Sequence, residues 1–305
     1  QMASFNSPVY FNVGIFPRWG LAGQSENFIF DPQIKGPRQL STAFVHPQAA
    51  ACFIQDVEDH LIGIFDLLKN EAKLFKFGSG TGTNFSRLRA RGEALRGGGE
   101  STGVLSFLEI FDKAAGAIKS GGTNRRAAKM VILDVEHPEV LDFIRWKRNE
   151  ERKARVLMAN GYSGGMDGEA LRSVSGQNSN NAVRVPNQFM QAAEKGERNA
   201  LGILTEIAKA AWECADPGLQ FSGTIQNWHT CPQGGEIRAS NPCSEFMFLD
   251  DSACNLASLN LARFLNADEI DWPAFRQVTR LMLIAQDILV DYCSYPTAKI
   301  AVNSH

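Results

Sequence analysis

The chain has 305 residues, 31 basic and 33 acidic, with a net charge of −2; 44% of its residues are hydrophobic and 21% charged. This balance excludes a mainly disordered chain and gives no support to bulk nucleic-acid binding, which needs a basic excess. No apolar run approaches the ~20 residues of a membrane helix, and the first residues do not read as a signal peptide, so a cytoplasmic protein is expected.

In chain order, a largely apolar segment spans residues 5–16. Val57, Leu61, Ile62, Ile64, Phe65 and Leu68 then fall at helical spacing and predict a helix following Cys52. Residues 78–103 are rich in glycine and polar side chains. Val104, Leu105, Leu108, Phe111, Ala115 and Ile118 predict a second helix, with Lys119 in its last turn and Ser120-Gly121-Gly122 as its stop. A second polar stretch covers 120–128, and 130–133 reads as a buried strand. Pro138 suits the first turn of a helix carrying Val140, Leu141 and Ile144, with Phe143 and Trp146 on a neighbouring face. Residues 156–158 and 182–185 are short strand candidates, flanking a third polar stretch at 161–182. Pro186 opens another helix, and further helices are expected at 202–215 and 272–293.

This alternation argues for an α/β architecture. The length fits two ordinary domains or one large barrel-type domain. With no repeat or linker visible, residues 1–305 are read as part of one domain. The chain opens on Gln1, and its last residues, Ala301-Val302-Asn303-Ser304-His305, have no terminating character; an internal piece of a longer chain is expected. Three long polar stretches in one α/β frame favour a binding role, surface insertions being the plainer alternative.

The six cysteines, at 52, 214, 231, 243, 254 and 293, form no CxxC pair. Reduced thiols are the default in a cytosolic protein, where a disulfide is more often catalytic than structural. Arg87, Arg89, Arg91 and Arg96 lie close to Gly97, Gly98 and Gly99. Arginine forks match phosphate oxygens and glycines admit a ligand to the backbone; a phosphate site and a solvated basic loop both remain open. No Gly-Lys-Ser/Thr follows, and no strong strand leads into the glycines, so neither a Walker loop nor a dinucleotide fingerprint is read here.

Asn241-Pro242-Cys243-Ser244-Glu245 sets an amide, a thiol and a carboxylate at alternate positions. In an extended segment all three would project to one side. That set suits chemistry in which a sulfur reacts while its neighbours hold and deprotonate a hydroxyl. Cys254 follows 254 − 243 = 11 residues later. The alternatives are small buried hydrophobes or a metal set of His229, Cys231, Cys243 and Cys254, which lacks the paired spacing of zinc sites.

At this point the chain resembles the catalytic subunit of ribonucleotide reductase, and most of all its adenosylcobalamin-dependent class (class II). The resemblance runs from Phe5-Asn6-Ser7-Pro8-Val9 to the last residues. It rests on Ala51-Cys52-Phe53, Asn84-Phe85-Ser86-Arg87-Leu88-Arg89 and Lys119-Ser120-Gly121-Gly122-Thr123. Trp228-His229-Thr230-Cys231-Pro232, Asn241-Pro242-Cys243-Ser244-Glu245 and Cys254-Asn255-Leu256-Ala257-Ser258-Leu259-Asn260-Leu261 complete it, all in the family's order.

The resemblance implies a ten-stranded α/β barrel, of which this chain would hold the first half and the finger loop inside it. The N-terminal regulatory region, the later strands and the C-terminal cysteine tail would be absent. It implies a thiyl radical at Cys243, Glu245 as base for the 3′-hydroxyl, Asn241 as its hydrogen-bonding neighbour and Ser7 as a substrate contact. Cys52 and Cys254 would supply the reducing equivalents and close to a disulfide. Asp59 would hold an effector ribose and Arg89 and Arg96 its phosphates, with 120–128 and 175–181 coupling effector to substrate. Implied partners are a ribonucleotide, deoxynucleotide or ATP effectors and a thioredoxin-like reductant, with a homodimer compatible; no membrane or direct nucleic-acid partner is expected, and no metal site. Cys214 and Cys293 read as structural, and Cys231 carries no role. Other readings are a class I-type enzyme with a separate radical-generating subunit, a nucleotide-sensing barrel remnant without catalysis, and a zinc-bound structural module.

Overall fold

A computed structural model describes residues 1–118, 126–165 and 167–305. Its strands are β1 (Ala3–Phe5), β2 (Phe28–Asp31), β3 (Gly36–Gln39), β4 (Cys52–Gln55), β5 (Gly80–Asn84), β6 (Lys129–Asp134), β7 (Asn180–Val185) and β8 (Gly218–Phe221). They continue with β9 (Ala239–Ser240), β10 (Met247–Phe248), β11 (Ser252–Cys254), β12 (Ala257–Leu259), β13 (Leu265–Asn266) and β14 (Glu269–Ile270). The helices are α1 (Ser7–Asn12), α2 (Ile15–Trp19), α3 (Leu61–Lys76), α4 (Val104–Ala117), α5 (Val140–Ala159) and α6 (Glu169–Ser173). After them come α7 (Asn187–Glu194), α8 (Arg198–Cys214), α9 (Ser222–Asn227), α10 (Trp272–Tyr292) and α11 (Ala298–Asn303).

The frame is a six-stranded sheet in the order β11-β4-β5-β6-β7-β8. Strands β4 to β8 run parallel and in sequence, and β11 is antiparallel to β4. Parallel neighbours need a crossover, which α3, α4, α5 and the α7–α8 pair supply. Crossovers of one hand along a sheet wound in one direction fall on one face. On that face Val131, Leu133, Val183 and Val185 pack with Ile64, Leu67, Leu108, Phe111, Phe143, Ile144 and Ile207 in the main core. The opposite face is left to a short hairpin, described below.

Helix α3 illustrates the local logic. Ile64, Leu67, Leu74 and Phe75 are its buried face, and the His60 side chain caps its first turn by accepting from Gly63 N at 3.0 Å. Gly78, at φ +85°, then turns the chain. The helix begins later than its apolar spacing predicts, because Val57 is buried ahead of the cap rather than on the helix. Helix α4 has no side-chain cap of its own at Gly103; Glu139, from the segment before α5, accepts from Val104 N at 2.8 Å and from Arg91 N at 3.1 Å. A carboxylate at a helix N-terminus also meets the positive end of the dipole.

Several expectations change. Residues 156–158 are not a strand: they form the last turns of α5, with Val156 63% exposed. A three-residue apolar run has no period of its own, and the helix already running through residue 155 decides it. Pro138 precedes the cap of α5, Glu139, instead of lying in its first turn, and Pro186 is itself the cap of α7. The polar stretch 78–103 contains a fully buried strand, β5, and 161–182 contains α6 and the start of β7. The predicted stop at Lys119 and Ser120-Gly121-Gly122, and most of 120–128, lie outside the described residues. Among the described residues the sheet stays open with six strands and closes no barrel. No described helix is long and apolar enough to cross a membrane.

Candidate active site

The hairpin β9–β10 lies across the helix-free face of the sheet, with Ser240 opposite Met247 and Ala239 opposite Phe248. Its loop, 241–246, is a tight turn and not the extended segment the alternate spacing suggests. Asn241 N donates to Phe246 O at 3.1 Å, Ser244 N to Asn241 O at 3.1 Å, and Phe246 N to Asn241 Oδ1 at 3.0 Å. Ser244 takes φ +67°. Asn241 is therefore fully buried, while Cys243 and Glu245 are exposed at the tip. The three side chains do not share one face, because the turn separates them.

The sheet beneath is shaped for this hairpin. A Cβ on Gly82 would run into the carbonyl oxygen of Ser240, and one on Gly80 would stand 2.6 Å from Cγ of Pro242. Both glycines lie on the same face of β5, two residues apart. Polar side chains on this face then hold the hairpin. Asn180 Nδ2 donates to Pro242 O at 2.9 Å, Gln220 Nε2 to Ser240 Oγ at 2.8 Å and to Ser244 Oγ at 2.9 Å, and Asn84 Nδ2 to Arg238 O at 3.0 Å. Arg184, 6% exposed, pairs with Glu236 at 3.2 Å on the approach to β9. Ile54, Met130, Ile132 and Ala182 pack with Ala239, with Phe246 and Phe248 against them.

Cys52 and Cys254 are cross-strand partners in β4 and β11. Directly opposite residues of an antiparallel pair share a face with Cβ atoms about 4.5–5.5 Å apart, close to the roughly 3.5–4.5 Å of a disulfide. Both are buried, in a cluster with Ala51 that Phe246 of the turn and Leu256 pack against. Asn241 Nδ2 lies 3.6 Å from Cys52 Sγ, so the amide below Cys243 reaches one member of the pair. Burial, with smaller contributions from Cys52 and Glu245, pushes the Cys254 thiol up to about 12. Its proton is therefore held throughout the neutral range. Ser7 sits at the start of α1, where Asn6 Oδ1 accepts from its backbone N at 2.7 Å; Asn6 N in turn donates to Leu256 O at 3.1 Å, two residues beyond Cys254.

A second site lies at the carboxyl ends of β5 and β6, where α/β sheets commonly bind ligands. A 590 Å³ cavity there is lined by Asp59, Ser86, Arg87, Arg89, Arg96 and His137, among others. Arg89 Nε donates to Asp59 Oδ2 at 2.8 Å and Arg89 N to Asp59 Oδ1 at 3.3 Å, and Arg87 pairs with Asp56. Asp59 thus precedes the cap of α3 and faces the arginine loop. The structure brings together Cys52, Asn241, Cys243 and Cys254 around the hairpin, and Asp59, Arg89 and Arg96 around the cavity.

The three remaining cysteines are Cys293, Cys214 and Cys231. Cys293 is buried at the end of α10, and Cys214 Sγ approaches Ala210 O and Asp216 O at 3.3 Å. Cys231 is exposed. Among the described residues no three His, Cys, Asp or Glu side chains converge as metal ligands.

Sequence reasoning missed Gly80, Gly82, Asn180 and Gln220. The repeated glycine in Gly80-Thr81-Gly82 was the available signal: glycine within a strand marks close backbone approach.

The family model for the ribonucleotide reductase barrel domain matches residues 50–202 and 195–305. A vitamin B12-dependent ribonucleotide reductase of Rhodopirellula baltica is 47% identical over the whole chain, and one of Agrobacterium fabrum 40%. The chain spans 31% of the length of each of these relatives. A vitamin B12-dependent ribonucleoside-diphosphate reductase of Mycobacterium tuberculosis is 36% identical over 81% of the chain and 35% of its own length. Among solved structures, the class Id ribonucleotide reductase alpha subunit of Actinobacillus ureae superposes with a TM-score of 0.65 at 16% identity, covering 99% of this chain and 48% of that one. That likeness concerns the fold.

Proposed function

The chain belongs to the ribonucleotide reductase family through its barrel domain, and from that premise we propose that the full-length protein reduces ribonucleotides to 2′-deoxyribonucleotides with adenosylcobalamin. Residues 1–305 then form part of one catalytic barrel, in which further strands extend the six-stranded sheet to ten. The reading is carried by one observation: the register that sets Cys52 opposite Cys254 beneath a hairpin with Cys243 at its tip.

The residues near the tip fit the cofactor. A 490 Å³ groove with apolar walls, among them Ile225, Trp228, Met247 and Phe248, runs up to Glu245, and Trp228 is 84% exposed. These side chains would hold an apolar part of adenosylcobalamin on the Glu245 side of the turn. When bound, adenosylcobalamin supplies the initiating radical by homolysis of its cobalt–carbon bond.

The chain's own residues do the rest. Cys243, as a thiyl radical, takes the hydrogen atom from C3′: an S–H bond forms and a C–H bond breaks. Glu245 accepts the 3′-hydroxyl proton, and the 2′-hydroxyl leaves as water. Cys52 and Cys254 give up two electrons and two protons and join by a disulfide, Cys243 returns the hydrogen atom to C3′, and Glu245 returns the proton to the 3′-oxygen. A Cys254 thiol that keeps its proton at neutral pH suits this donation. The amide of Asn241 is turned inward, toward Phe246 N and Cys52, so its support for the reaction lies in holding the turn. Ser7, beside the strand after Cys254, meets the substrate. A thioredoxin-like dithiol reduces the disulfide between turnovers, and a homodimer is compatible with this arrangement. The cavity at Asp59, Arg89 and Arg96 takes a deoxynucleotide or ATP effector, whose ribose hydroxyls compete with Arg89 for Asp59 and whose phosphates meet the arginines.

The test is ribonucleotide reduction by the natural full-length protein, purified alone, with and without adenosylcobalamin. Product formed only with the cofactor supports the reading, and Cys243→Ala then abolishes turnover while effector binding persists. Turnover without cobalamin moves the radical source to a separate subunit. Effector binding with no product under either condition favours a nucleotide sensor.

A further inference from the structure

The strand β8 carries a residue with an unusual set of partners. Gln220 is 2% exposed, and its single amide nitrogen donates to two hydroxyls, Ser240 Oγ at 2.8 Å and Ser244 Oγ at 2.9 Å. These serines stand on either side of Asn241-Pro242-Cys243. Ser240 Oγ in turn donates to Asn241 O at 3.0 Å, the carbonyl that also accepts from Ser244 N. Ser244 sits at φ +67°, where glycine or asparagine is the usual choice and a serine side chain is disfavoured. A serine in that conformation is explained by its hydroxyl, which glycine lacks and which Gln220 holds.

We propose that Gln220 is a positioning residue: from the outermost parallel strand it clamps both ends of the turn and thereby fixes the orientation of Cys243 relative to Glu245. The clamp works against a rigid floor, since Gly80 and Gly82 let the hairpin rest on β5 while Asn180 holds the Pro242 carbonyl. Floor and clamp act from different strands, so the turn is seated from beneath and held at both ends. Gln220 touches neither reacting atom nor cofactor; it acts through Ser244. The kinetic part of this inference rests on the function proposed above, and the structural part does not.

Two variants of the full-length protein test it. Gln220→Leu keeps volume and removes both donors, and Ser244→Gly keeps the left-handed turn and removes the hydroxyl. Hydrogen exchange, followed by peptide mass spectrometry, reads the clamp without any need for turnover. In either variant amide exchange across 240–246 should quicken about tenfold or more, with peptides of α5 and β6 unchanged. Steady-state kinetics read the positioning. The expectation is a fall in kcat of about 10- to 100-fold with KM within about twofold, the pattern of an interaction realised only in the transition state. The double variant should lose no more than the worse single one, because both remove the same link.

Unchanged exchange in a folded Gln220→Leu protein overturns the clamp. Faster exchange with unchanged kcat overturns the positioning role, as do losses that multiply in the double variant. A parent protein that fails to reduce ribonucleotides at all overturns the proposed function instead, and the exchange result still judges the clamp.

Discussion

On one face, the six-stranded sheet meets its helices with Val131, Leu133, Val183 and Val185 against Leu108, Phe111, Phe143 and Ile207. On the other, the same strands offer Cys52, Gly80, Gly82, Asn180 and Gln220 to a hairpin. The helical face is held by dispersion and apolar burial, which are non-directional and spread over many side chains. The hairpin face has only a small apolar cluster around Ala239, to which it adds a handful of hydrogen bonds and absent side chains, each directional and tied to one atom. The difference teaches where stability and chemistry reside: substitutions on the first face should change how much protein folds, and substitutions on the second how well the folded protein works.

Four substitutions in the full-length protein test that division. Phe111→Ala removes a ring that is 1% exposed and packs edge-on to Phe85 at 5.4 Å; a loss of about 3–5 kcal/mol is expected on denaturant titration, with kcat per folded molecule unchanged. A matching loss of kcat would break the comparison. Gly82→Ala drives a methyl group into the Ser240 carbonyl and should lower kcat on the order of 10²-fold with the helical core intact by circular dichroism. Full activity in that variant would mean the hairpin can shift without consequence.

Asp250 follows the hairpin directly, and burial, with Asp56 and Asp251 adding to it against Arg238, pushes its carboxyl up to about 6. Its raised value means that stability is full below about pH 3, where both states are protonated, and declines as pH rises toward 6 because the unfolded chain ionises first. Asp250→Asn should therefore gain roughly 3 kcal/mol at pH 7 and almost nothing at pH 3; melting curves at the two pH values check both halves. The smallest effect is expected on the outer surface of the helical layer. Arg152, 54% exposed, forms a two-pronged pair with Glu213 at 2.8 Å, and Arg152→Ala should cost under about 1 kcal/mol, falling further with added salt.

The same division governs what could be read in advance. Helix α4 announces itself through periodicity, because burial against a neighbouring layer imposes a repeat on its apolar residues, and strand β6 through an unbroken apolar run. Strand β5 does not: Gly80-Thr81-Gly82-Thr83-Asn84 contains no apolar side chain, yet every residue is buried, since its neighbour on one side is a backbone rather than a side chain. The pairing of Cys52 with Cys254 entered through a family resemblance; the cross-strand register that joins them is a long-range pairing with no local trace. Asn241, Cys243 and Glu245 were legible as a chemical set but not as a geometry. Alternate spacing describes a strand, and the left-handed Ser244 that bends the chain has no glycine to advertise it. Gln220 gave no signal at all, being one polar residue in a short strand.

Gly82 and Ser240 are 240 − 82 = 158 residues apart in the chain. Each parallel strand, by contrast, adds beside the one before it, across a much shorter span. Closing a longer loop costs more chain entropy, so the turn is expected to seat after the parallel strands that support it. Pulse-labelled exchange during refolding should show 129–134 protected before 239–248, and simultaneous protection would contradict that order. The glycine seat thus ties the geometry at Cys243 to a strand far away in the chain: until β5 is in place, the turn has no floor to rest on.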